Sequence, residues 1–118
     1  MAQEQTFIVD LLMYTGCDFT QTFVLEDTVS NALKNTTGYT ACAQMRRYES
    51  SSTAATFNIS FSADRAQGRL EISLVKAVTQ NLKPGKYFYD IVLKGSSNVK
   101  DRIVEGTVTV KKAVTRLY

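Results

Sequence analysis

Apolar and polar residues alternate with a period of two along most of this chain. Phe57, Ile59 and Phe61 are separated by Asn58 and Ser60, and Leu70, Ile72 and Leu74 by Glu71 and Ser73. Tyr87, Tyr89, Ile91 and Leu93 share one parity, and Val104, Val108 and Val110 share another. Period two sends alternate side chains to opposite faces of a strand, so each segment offers one apolar row to a core. Phe19, Phe23 and Leu25 form a similar row that includes Gln21, and Tyr39, Ala41, Ala43 and Met45 form another. With Phe7 to Met13, an apolar run broken by Asp10, the pattern predicts about seven strands. They fall near residues 7–13, 18–26, 38–48, 54–62, 68–74, 86–94 and 101–112.

The punctuation agrees. Gly16, Gly38, Gly68, Gly85 and Gly95 sit at or beside predicted strand ends, where positive φ is often required. Asp64 to Gly68 and Lys94 to Val99 read as hairpin connections, and Asp27 to Thr37 as a longer, polar loop. Only Leu74, Val75, Val78 and Leu82 keep helical spacing, enough for a turn or two.

The most specific local signal runs from Asn81 to Asp90. The only proline, Pro84, precedes Gly85 and then the most aromatic strand. Proline fixes φ, glycine permits a sharp turn, and a following tyrosine can return its hydroxyl to the loop backbone. That is the layout of the tyrosine corner in Ig-like sandwiches. Tyr87 is the first choice for the corner residue and Tyr89 the second; an ordinary turn before an aromatic strand is the plainer alternative. There is no Trp, and Cys17 and Cys42 lack the Cys…Trp…Cys layout of antibody domains. The expected fold is an all-β, Ig-like antiparallel β-sandwich of about seven strands with one short helical turn. Residues 1–118 form a single domain in this reading, with 1–6 and 111–118 as terminal arms.

Composition adds mostly exclusions. A chain of 118 residues, 44% apolar and 21% charged, is an ordinary globular domain. The net charge is +3, and the densest basic groups are only the pairs Arg46-Arg47 and Lys111-Lys112. Scattered cations without interleaved Gly or aromatic motifs predict a solvated surface and no nucleic-acid partner. No apolar run reaches bilayer length, and no basic segment precedes Phe7 to Met13, so neither anchor nor signal peptide is expected. That predicts no membrane partner and synthesis in a cytoplasm. Cys17 and Cys42 are then expected as free thiols packing like small apolar groups.

Catalytic chemistry is poorly served. The chain contains no His, the commonest general base and metal ligand, and no GxxxxGK or GxGxxG phosphate loop. Asp90, Asp101 and Glu105 read as solvated strand carboxylates. The expectation is no enzyme, no cofactor and no metal. Contact residues are more legible. If Tyr87, Tyr89, Ile91 and Leu93 face the core, Phe88 and Val92 point outward, and in the first strand Ile8 and Leu12 flank Asp10 on one face. A tail ending Arg116-Leu117-Tyr118 is unusually apolar for a solvated end. Ile8, Leu12, Phe88, Val92, Leu117 and Tyr118 are thus the candidate interface residues, and Pro84, Gly85 and Tyr87 the structural corner. The first strand is expected either at the centre of the domain or exchanged with a neighbour.

Several blocks together carry a family resemblance: Cys17-Asp18-Phe19-Thr20-Gln21-Thr22-Phe23, Thr37-Gly38-Tyr39-Thr40-Ala41 running into Gln44-Met45-Arg46, and Leu82-Lys83-Pro84-Gly85-Lys86-Tyr87 followed by Tyr89-Asp90. Glu105-Gly106-Thr107-Val108-Thr109-Val110 completes the series. They resemble small Ig-like β-sandwich virion proteins of tailed bacteriophages, including marine T4-like phages. They are also similar to N-terminal domains of upper baseplate and tail-fibre proteins. The resemblance implies a virion structural protein of tail, baseplate or neck, made in the host cytoplasm and assembled with other virion proteins, including copies of itself. A capsid decoration protein is the neighbouring implication. Where those relatives continue into receptor-binding domains this chain stops at Tyr118, which favours an adaptor, sheath-like or decorating subunit. From a different class, a host-surface or carbohydrate-binding module would use Tyr14, Tyr48 or Phe88 as stacking platforms.

Overall fold

A computed structural model describes residues 7–25, 36–48, 53–95 and 100–114. Their strands are β1 (Phe7–Ile8), β2 (Leu11–Tyr14), β3 (Phe19–Val24), β4 (Thr40–Arg46), β5 (Thr53–Thr56), β6 (Asn58–Phe61), β7 (Arg69–Leu74), β8 (Gly85–Lys94) and β9 (Lys100–Lys111). A single turn of helix, α1 (Lys76–Thr79), lies between β7 and β8. The larger sheet runs β1-β9-β8-β4-β5, with β2 continuing β1 along β9. The smaller sheet runs β3-β7-β6. The all-β sandwich with one short helical turn expected from the sequence is the fold observed.

The alternating rows become the two inner faces. Met13, Met45, Leu70, Ile72, Leu74, Ile91, Leu93, Val104, Val108 and Val110 are almost completely buried. Each such side chain is worth roughly 1.5–3 kcal/mol in transfer free energy, so the rows dominate the stability. Every fully buried side-chain polar atom among the described residues has a hydrogen-bond partner. None of the described helices is long and apolar enough to cross a membrane.

The structure revises several expectations. The segment near 54–62 is two strands, not one: β5 pairs with β4 in the larger sheet, and β6 pairs with β7 in the smaller. The chain crosses between sheets at Phe57, whose amide donates to the Ala43 carbonyl at 2.9 Å. Its buried ring lies 6.1 Å from Phe19 and 6.2 Å from Tyr89. Burial of that ring between layers supplies the reason for the break. The pairing is also not wholly antiparallel, because β1 and β2 run parallel to β9. The first strand therefore forms an edge rather than the centre. Lys111, assigned to the tail, is the last residue of β9. The cysteines are free as expected, but both thiols are exposed instead of packed. Cys42 has the outward parity of β4, and Cys17 lies in the turn before β3.

Local connections are held by side chains. The predicted 64–68 hairpin joins β6 to β7, and Arg65 within it donates to the carbonyls of Thr36 (2.9 Å) and Tyr39 (3.1 Å). Its guanidinium also lies 3.9 Å from the centre of the Phe61 ring. The helical turn is capped by Asp18, whose carboxylate accepts the Lys76 amide at 2.7 Å. Most of the 94–99 hairpin tip and of the 27–37 loop, and both Leu117 and Tyr118, lie outside the described residues.

Candidate functional site

Tyr87 settles the corner. Its buried ring leads a hydroxyl that donates to the Lys83 carbonyl at 2.7 Å, four residues upstream. Gly85 adopts a φ of 144°, a region that disfavours any side chain, and the Arg47 guanidinium fills the space a Cβ would need. That guanidinium also sits 5.2 Å from the centre of the Tyr87 ring. Pro84, Gly85 and Tyr87 thus form the structural corner read from the sequence.

A second joint was not anticipated. Between β1 and β2 the Val9 amide still donates to the Glu105 carbonyl at 2.9 Å, but the Val9 carbonyl and Asp10 leave the ladder, and the register with β9 resumes unchanged at Leu11. The Val9 carbonyl enters the space beside Gly106, where a Cβ would overlap it. The Tyr89 hydroxyl donates to that carbonyl at 2.6 Å. Asp10 takes over the missing ladder contact: its Oδ1 accepts the Thr107 amide at 3.1 Å and the Thr107 hydroxyl at 3.0 Å. Burial, with the Asp10 charge adding to it, pushes the Tyr89 pKa well above the usual phenol range. The signals were visible but unassigned: Asp10 interrupts an apolar run, and Gly106 interrupts a row of valines.

The outer face of the larger sheet carries the candidate contact surface. Strand pairing lines up Ile8, Glu105, Asp90 and Gln44 across four strands. The adjacent row holds Thr107, Phe88 and Arg46. Together they border an open hollow of about 670 Å³. Arg102 spans its acidic side, 3.2 Å from Asp90 and 3.7 Å from Glu105. Exposed pairs of this kind are worth at most about 1 kcal/mol, so they shape the surface more than they stabilise the fold. Arg46 donates to Gln44 at 3.1 Å on the opposite side.

The hollow brings Ile8 and Phe88 together, 74% and 40% exposed. Leu12 and Val92 share this face but do not line the hollow; Leu12 is exposed and Val92 half-buried. The charged residues around it carried no sequence motif, because their proximity is set by register between strands distant in the chain.

No protein-family model matches the chain, and no curated protein matches its sequence. Among solved structures, it is similar to CopC from Methylosinus trichosporium OB3b, with 12% identity and a TM-score of 0.45. That alignment covers 96% of this chain and 89% of the other. It is also similar to an internalin-like protein of Listeria monocytogenes, with 12% identity and a TM-score of 0.47, covering 90% of this chain and 28% of that one. Neither likeness bears on what this chain does.

Proposed function

We propose that the chain is a non-enzymatic structural subunit of a tailed-phage particle that docks neighbouring virion proteins on the outer face of its larger sheet. The virion assignment rests on the resemblance of the sequence blocks from Cys17 to Val110. The observation that supports docking on this face is the exposure of Ile8, Leu12 and Phe88 there, around a hollow edged by charged residues. An apolar centre with a polar border is the usual anatomy of a protein-protein contact.

The test is particle incorporation. Ile8→Asp with Leu12→Asp places charge on the apolar part of the face without touching the core. Incorporation of the variant into purified phage particles is expected to fall at least tenfold, with an unchanged melting temperature. Wild-type incorporation of this variant would remove the docking face, and absence of the chain from particles would remove the virion assignment.

A further inference from the structure

The two densest basic pairs of the sequence are distant in the chain, and folding brings them to one end of the larger sheet. Register sets Arg46 beside Phe88, Lys86 beside Thr109 and Gly85 beside Val110. The end of β4, the start of β8 and the end of β9 therefore meet, carrying Arg46, Arg47, Lys83, Lys86, Lys111 and Lys112. All of these but the half-buried Arg46 are exposed. Asp18, in the nearby turn, already accepts a backbone amide from Lys76.

Exposed rings alternate with these cations. Tyr48, 64% exposed, follows Arg47 in the chain. The Lys86 ammonium lies 5.5 Å from the centre of the Phe88 ring, and Tyr14 is the register partner of Lys111. β8 and the β9–β2 edge thus present two cation-and-ring couples, Lys86 with Phe88 and Lys111 with Tyr14. The exposed Tyr48 ring follows the end of β4, three strand spacings or about 15 Å from β2, while the Arg47 guanidinium beside it in the chain lies over Tyr87.

We propose that this end of the sheet binds single-stranded nucleic acid without sequence preference. Such a polymer carries one negative charge and one flat ring per unit, the same alternation the surface offers. An acidic polypeptide supplies charge without rings. A duplex hides its rings in the stack, and a flat sheet face presents no helix or ribbon to enter a groove. The expectation of no nucleic-acid partner rested on scattered cations, and at this end folding removes the scatter. The proposed surface adjoins the docking face around Ile8 and shares Phe88 and Arg46 with it.

Anisotropy titration of the purified chain with a labelled oligo-dT of about 12 nucleotides tests it. Binding is expected at low salt, with log affinity falling against log salt at a slope of about −2 to −3, as for three or four phosphates. Lys86→Gln with Lys111→Gln is expected to weaken binding about tenfold and to reduce the slope by about 1.4. Tyr48→Ala is expected to weaken it at least fivefold. All three positions are exposed, so thermal melts are expected to match wild type. The proposal is overturned by no binding at the lowest salt, by equal affinity for polyglutamate or for a duplex of the same length, or by an unchanged affinity in Tyr48→Ala.

Discussion

Tyr87 and Tyr89 stand two residues apart on β8, both buried, and each donates its hydroxyl to a backbone carbonyl. Tyr87 reaches Lys83 within its own turn, whereas Tyr89 reaches Val9 at the other end of the chain. The first bond closes a local loop and depends on Pro84 and Gly85 beside it. The second fastens the edge strand of the larger sheet and depends on Gly106 leaving room. Identical chemistry therefore does two jobs: one shapes a turn, and the other ties β8 to the edge strand at Val9.

The largest expected effect comes from removing the room. Gly106→Val drives a branched side chain into the Val9 carbonyl, so the edge strand must leave β9 or the pair must distort. A loss of about 3 kcal/mol or more is expected in denaturant unfolding. Amide exchange is expected to accelerate first at Val9 and Leu11 to Tyr14, with β4 to β7 little affected. A uniform loss of protection would mean that the joint and the core are one cooperative unit.

The two hydroxyls separate the roles further. In Tyr89→Phe the carbonyl of the half-buried Val9 loses its donor, a defect costing about 1–3 kcal/mol. In Tyr87→Phe the Lys83 carbonyl sits in an exposed turn where water can replace the phenol, so about 1 kcal/mol is expected. Equal losses by chemical denaturation would contradict the distinction between joint and turn.

The same contrast explains what could be read from the sequence. The Pro84-Gly85-Tyr87 corner was legible because all its parts lie within a few residues. The strand rows were legible because Tyr87 to Leu93 and Leu70 to Leu74 alternate without interruption. The joint was not, since Asp10, Tyr89 and Gly106 become neighbours only after β1 and β2 choose β9 as their parallel partner. The break at Phe57 was hidden for a related reason: a switch between sheets preserves the parity that continuous strands show. Of the contact residues, parity alone exposed Ile8, Leu12 and Phe88. Register brought Gln44, Arg46, Asp90 and Glu105 to the same hollow, and single-strand periodicity carries no information about register.

The smallest expected effect is a pH dependence confined to the joint. Tyr89 must keep its proton to donate to Val9, and its folded pKa lies above the unfolded phenol value of about 10. Below that value both states hold the proton, and the stabilisation is fully present. As pH rises past about 10 the unfolded state releases the proton first, so stability falls progressively toward the folded pKa. At half a unit above the unfolded value this amounts to somewhat under 1 kcal/mol. The quantity that isolates this group is wild type minus Tyr89→Phe, measured by urea unfolding from pH 8 to about 10.5. That difference is expected to be flat to about pH 9.5 and then to shrink. A Tyr89 difference that stays constant across the range would mean that the Val9 carbonyl finds another donor when the phenol ionises, and that the joint is held chiefly by Asp10 and the fit against Gly106.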